Sequence, residues 1–173
     1  MQFNHDNMTG VWLAADLATL AGRVWNQDDA TEILADHQIR RRSLTATAAE
    51  DLREWALQLR TPFVVEDESE RCDAINTLLD AGTARAYLTM HDGLRPHLHF
   101  AADEDDIVAR VKAVTAGGLA IFTVESDGGR LGGCRREGCP VVFVDTSRNG
   151  RRVYCSTTCG NYDAVRRHRA TTH

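Results

Sequence analysis

Two short runs decide how this chain folds: Gly133-Cys134-Arg135-Arg136-Glu137-Gly138-Cys139-Pro140 and Tyr154-Cys155-Ser156-Thr157-Thr158-Cys159-Gly160-Asn161. They hold four of the five cysteines, as Cys134-x4-Cys139-x15-Cys155-x3-Cys159. Two close pairs, separated by enough chain to fold as a hairpin, make a metal-site spacing. Each pair can give two thiolates to one tetrahedral centre. Four thiolates leave no open coordination position, so the expected cofactor is one structural zinc ion. A disulfide framework would need an oxidising compartment. An iron–sulfur cluster would use the same four thiolates. Spacing alone leaves both open.

The residues around the cysteines suit a small metal-stapled module. Gly138 and Pro140 flank Cys139 and favour a tight knuckle. Val141-Val142-Phe143-Val144 reads as a strand. Asn149-Gly150 is a hairpin turn signal, and Arg151-Arg152-Val153-Tyr154 can return as the second strand. Cys155 and Cys159, four apart, would share one face in the first turn of a following helix.

Charge divides the chain at the same place. Residues 130–173 carry nine of the 20 basic residues and three of the 25 acidic ones. All nine are arginines. The remaining 129 residues are strongly acidic, although the whole chain is only −5. An acidic body with a basic end points to a polyanionic partner for that end. The candidate contacts are Arg148, Arg151 and Arg152 around the turn, and Arg166, Arg167 and Arg169 on the final helix. Arginine forks suit phosphates and guanine edges. DNA is the expected partner, and arginines on a zinc module leave RNA open.

Upstream the pattern is mostly helical. Leu13, Leu17, Leu20, Ala21 and Val24 predict an apolar helix face over residues 11–25. A short helix is expected over Asp28–His37. The clearest helix is Thr47–Arg60, with Thr47 and Glu50 as a capping box and Leu52, Trp55, Ala56 and Leu59 as its face. Thr61-Pro62 should end it. Another helix is expected from Glu66 to about Met90, His97–Phe100 as a short strand, and Ala102–Ala116 as a helix closed by Gly117-Gly118. Periodicity does not decide between strand and helix for Leu119–Val124. Ser126–Gly129 is the linker candidate. No apolar stretch reads as the ~18 residues of a membrane span, and Met1–Asp6 shows no signal-peptide start. The expectation is a cytoplasmic protein with no membrane partner.

The finger region, from Arg130-Leu131-Gly132-Gly133-Cys134 through Phe143–Asn161 to Val165-Arg166-Arg167-His168-Arg169, resembles the CGNR zinc finger. One departure is that the arginine which follows Gly-Asn in that family is Tyr162 here. Ala15–Leu20, Ser43–Trp55 and Pro96–Phe100 resemble, more weakly, the ABATE domain that commonly precedes this finger. The resemblance implies a bacterial, stress-linked transcription regulator whose N-terminal domain senses a ligand.

Other residues are secondary candidates. Arg95, His97 and His99 form a candidate site for an anionic ligand. Asn161 is expected to brace the zinc knuckle, and Phe143 and Tyr154 to pack over it. Cys72 reads as a buried apolar thiol. Trp12, Trp25 and Trp55 read as core. No Gly-x-Ser-x-Gly, His-Glu-x-x-His or phosphate loop occurs, so no catalytic residue is nominated and no enzyme is expected. The fold class is α+β: a mostly helical domain over residues 1–126, then a zinc-stapled β-hairpin-plus-helix over residues 130–170. One copy of so small a module would bind weakly, which suggests a homodimer.

Overall fold

The first helix is apolar on nearly every side. Val11, Leu13, Ala14, Leu17 and Ala18 are all fully buried, so the rest of the chain must wrap around it. In the computed structural model this helix, α1, runs His5–Ala21. The structure describes residues 5–39, 44–83, 85–90, 97–100, 106–126 and 129–171. The helix α1 ends before Gly22, and Val24, expected on its apolar face, is 87% exposed.

After α1 come α2 (Gln27–Asp36), α3 (Ala46–Leu59), α4 (Thr61–Val64), α5 (Glu68–Gly82), β1 (Tyr87–Thr89), β2 (His97–His99) and α6 (Ile107–Glu125). Asn26, Thr45, Asp67 and Asp106 cap α2, α3, α5 and α6, each accepting a backbone N–H with its side chain. The cap of α3 is therefore Thr45 and not Thr47, while Glu50 pairs with Arg53. Pro62 does not simply stop α3; it sits in the first turn of α4, where its missing N–H costs nothing. The helix expected to reach Met90 ends at Gly82, and Tyr87–Thr89 pairs antiparallel with His97–His99.

Gly117-Gly118 do not close a helix. They lie in the middle of α6, which continues through Leu119–Val124. A Cβ at Gly118 would sit 2.6 Å from the backbone of Gly10, and one at Gly10 would sit 2.4 Å from the carbonyl oxygen of Val114. Here α1 and α6 touch backbone to backbone. The helix α6 also packs on α5 and α3, and Trp55 of α3 donates its indole N–H to Thr115 Oγ1 at 2.9 Å. By length and composition α6 could also cross a membrane, with a mean hydropathy of 1.6. That corrects the expectation that no apolar stretch is so long, which came from breaking the helix at its glycines. Trp55 is buried, Trp12 and Trp25 pack partly buried against the core, and Cys72 is exposed rather than buried.

Residues 129–171 add β3 (Leu131–Gly133), β4 (Val142–Val144) and α7 (Thr157–Thr171). The expected α+β class holds: helices first, then a short antiparallel pair and a helix at the cysteines. The pairing differs from expectation, however. Val142–Val144 pairs with Leu131–Gly133, not with Arg151–Tyr154. Leu131, Val142 and Val144 belong to the same core as α1, α3 and α4, so the pair lies directly on the helices.

Candidate metal centre and basic face

The first cysteine pair sits in the loop that joins β3 to β4. Cys134 follows β3 and donates its N–H to the Val141 carbonyl at 2.9 Å. Gly138 then takes φ 73°, a left-handed conformation costly for other residues, and Cys139 N–H closes the turn on the Arg136 carbonyl at 3.0 Å. The second pair straddles a helix start. Cys155 lies just before α7 and Cys159 in its first turn. Ser156 Oγ caps the helix by accepting the Cys159 N–H at 3.2 Å.

These two knuckles bring all four sulfurs within 4.8 Å of one another. The separations are 3.8 Å for Cys139–Cys155, 3.4 Å for Cys155–Cys159 and 4.0 Å for Cys139–Cys159. Four Zn–S bonds of about 2.3 Å in a tetrahedron require sulfurs about 3.8 Å apart. The thiols alone cannot all ionise. Burial and the hydrogen bond to Cys159 push Cys155 up to about 12. The Ser156 hydroxyl and the Cys155 thiol pull Cys159 down to about 7. A divalent cation removes that conflict, because it stabilises every thiolate at once. The set fits one closed, structural zinc site, as the spacing predicts.

The loop between β4 and Cys155 is held by Asp145, a residue whose role its place in the sequence does not reveal. Asp145 is buried, and its carboxylate accepts the backbone N–H groups of Ser147 at 2.9 Å and Arg152 at 2.8 Å. Burial alone would raise its pKa. The hydrogen bonds from Ser147 and Arg152, with the nearby Arg130 charge, outweigh it and hold the carboxyl below 3.8. Arg130 also donates to the Ser147 carbonyl at 2.6 Å, and its guanidinium lies against Gly150, at φ 58°. Residues 145–152 are thus a pinned loop. Phe143 is buried, with its ring over Gly132. Tyr154 packs its ring on Gly160 and donates its hydroxyl to the buried Asp163 at 2.7 Å.

The basic residues divide into two sets. Arg152, although exposed, folds back on the finger: its guanidinium lies 4.5 Å from the Phe143 ring centre and donates to the carbonyls of Tyr154 and Cys155. Arg166 pairs with Glu137 and Asp163, and Arg167 with Asp163 at 3.2 Å. Arg135 reaches Glu66 of the helical body at 3.3 Å. Arg136, which no motif singles out, lies 5.3 Å over the Tyr162 ring, and its pKa is raised chiefly by the charge of Cys159. By contrast Arg148, Arg151 and Arg169 are exposed, with no ion pair or hydrogen bond among the described residues. Asn161 is exposed and makes no bracing side-chain bond to the knuckle. The ligand site expected at Arg95, and at the side chains of His97 and His99, lies outside the described residues. A separate open groove of about 790 Å³ lies where α3, α5 and α6 meet, lined by Thr45, Asp51, Asp80, Thr83, Asp106 and Lys112 among others.

Residues 130–171 match the CGNR zinc finger family. Among curated proteins, none matches the chain.

Proposed function

From a CGNR-type finger at residues 130–171, we propose that the chain binds DNA through this module and acts as a transcription regulator. The supporting observation is the state of Arg148, Arg151 and Arg169. The chain carries 25 acids against 20 basic residues, yet these three exposed guanidinium groups pair with none of the described acids. Two lie in or beside the pinned loop and one near the end of α7. A phosphate backbone is the partner such groups fit. The helical body, in this reading, is an ABATE-like domain that senses a small molecule or dimerises. The groove between α3, α5 and α6 is its available ligand space. No step of this reading is enzymatic.

The rival reading treats the finger as a clip whose arginines serve only to hold the body. It requires Arg151 and Arg166 to pair with acids of the body. Arg166 instead pairs with Glu137 and Asp163 inside the finger, and Arg151 pairs with none of the described acids, although Arg135 does reach Glu66 of the body. The test is selection of bound fragments from sheared genomic DNA by zinc-loaded full-length protein, with Arg148→Ala/Arg151→Ala/Arg169→Ala as control. Motif enrichment that disappears in the control supports the reading. Absence of duplex binding at low salt, with zinc confirmed, defeats it, and binding confined to RNA replaces it.

A further inference from the structure

One side of α7 is built from residues that give the helix little and pack on little. Thr158, Tyr162, Val165 and Arg169 follow one another at spacings of four, three and four, with Asn161 and Arg166 at the flanks. Together they line one open groove, and all six are exposed. Threonine, asparagine, tyrosine and valine are all poorer helix formers than alanine, leucine or lysine. Apart from Arg136 over the Tyr162 ring, little inside the described fold offsets that choice. Thr158 and Asn161 make no side-chain hydrogen bond there. Tyr162 is 56% and Val165 51% exposed. From Ala164 to Ala170 every residue is exposed, so the second half of α7 stands clear of the protein. Asp163 and its partner Arg167 point to the other side, towards Tyr154.

We propose that this face of α7 enters the major groove of duplex DNA, with Asn161, Tyr162 and Val165 as specificity-determining residues. The proposal rests on the DNA-binding reading and deepens it. An α-helix about 10–12 Å across fits a groove about 12 Å wide. From Thr158 to Arg169 the strip is about 16 Å long, the length of roughly four to five base pairs. Its chemistry matches base edges: asparagine suits adenine, valine and the tyrosine ring suit the thymine methyl, and arginine suits guanine. Charge complementarity on the face itself comes from Arg169, which pairs with none of the described acids. Arg136, stacked on Tyr162, acts as a positioning residue that fixes the ring on the exposed side.

Selection from a random duplex library tests this, using zinc-loaded full-length wild-type protein and the variants Asn161→Ala and Val165→Ala. Alanine favours the helix at both positions, so folding is not at risk, and zinc content and melting temperature verify it. The expected result is that each variant melts no lower than wild type. Each should also keep its affinity and salt slope for unselected duplex, and lose roughly tenfold or more of the preference at one or two base pairs. Variants that enrich the wild-type motif with undiminished strength overturn the proposal. So do variants that lose unselected and selected binding equally, since the face then touches only backbone. A wild-type protein that binds no duplex defeats the DNA reading itself, a separate outcome from either.

Discussion

The Thr19 hydroxyl on α1 accepts the Val142 N–H at 3.1 Å and donates to the Val142 carbonyl at 3.3 Å. A helix side chain thereby serves both polar groups of a strand residue, as a neighbouring strand would. Beside it, Arg60 at the end of α3 donates from one guanidinium nitrogen to the Ala18 carbonyl at 2.6 Å and to the Pro140 carbonyl at 2.9 Å. Pro140 directly follows the zinc ligand Cys139. The metal centre, β4 and two buried body helices are therefore one connected structure.

Zinc removal should consequently weaken the whole chain and not the finger alone. In a chelator, the helical signal and the metal should disappear in one transition, at a melting temperature several degrees lower. Roughly 2–4 °C per kcal/mol applies to a chain of this size. Thr19→Val, which leaves two strand groups without a partner, should cost about 1–3 kcal/mol and weaken zinc retention. Thermal melts followed by circular dichroism and a zinc indicator check this. An unchanged helical melt after chelation would show that the two parts are uncoupled.

The α1–α6 contact gives the second prediction. Gly10→Ala places a Cβ 2.4 Å from the Val114 oxygen, and Gly118→Ala places one 2.6 Å from the Gly10 backbone. Neither obstacle is a side chain that can swing away. Each substitution should cost about 1–3 kcal/mol or more by forcing the helices apart, and the two should not add, because they strain one contact. Gly129→Ala, with nothing within 4 Å, is the control and should be neutral. Urea denaturation of the three variants separates them.

These glycines also show what a sequence can and cannot disclose. The zinc ligands were legible because metal chemistry demands fixed residue types at short spacing. The helix α3 was legible because Leu52, Trp55, Ala56 and Leu59 repeat at its own period. Gly117-Gly118 read as a stop because the reasons for them lie elsewhere in the chain: the Phe100 ring lies against Gly117 and the Gly10 backbone against Gly118, and only packing brings them near. The pairing of β4 with β3 is hidden in the sequence for a related reason. Asn149-Gly150 is a strong local turn signal, whereas Gly132-Gly133 has little strand propensity. Yet the Phe143 ring lies over Gly132 and needs the lack of a side chain there. The division of the arginines into pinned and free depends on where Glu137, Asp163 and Glu66 arrive in space, and no spacing rule carries that.

Asp145→Asn should destabilise the finger by about 1–3 kcal/mol, because the Ser147 and Arg152 amides lose an ionised acceptor. The pH dependence follows from the direction of the shift. The folded carboxyl titrates below the unfolded value of 3.8, so its contribution is fully present above that value. It fades only as pH falls through the lower, folded one. Between about pH 5 and 8 the gap between wild type and variant should therefore be flat. A gap that narrows with rising pH across that range would mean a buried, protonated Asp145, contrary to its two N–H donors.

The arginines should separate in solution as they do in the fold. Removing one phosphate-neutralising side chain reduces the slope of log K against log salt by about 0.9. Arg151→Ala, Arg148→Ala and Arg169→Ala should each lower the magnitude of the slope by about that much. Zinc content and melting should stay unchanged, because these side chains make no ion pair or hydrogen bond in the described fold. Arg152→Ala should do the reverse. It removes the donors to the Tyr154 and Cys155 carbonyls and the cover over Phe143, so the knuckle should loosen and zinc should leave at lower chelator concentration. At saturating zinc the Arg152→Ala slope should match wild type. A salt titration of duplex binding, read beside a zinc-competition curve for the same four variants, decides this. If Arg152→Ala changed the slope and not the metal affinity, the bonds of Arg152 to the Tyr154 and Cys155 carbonyls would give way on DNA, and four arginines rather than three would meet the backbone.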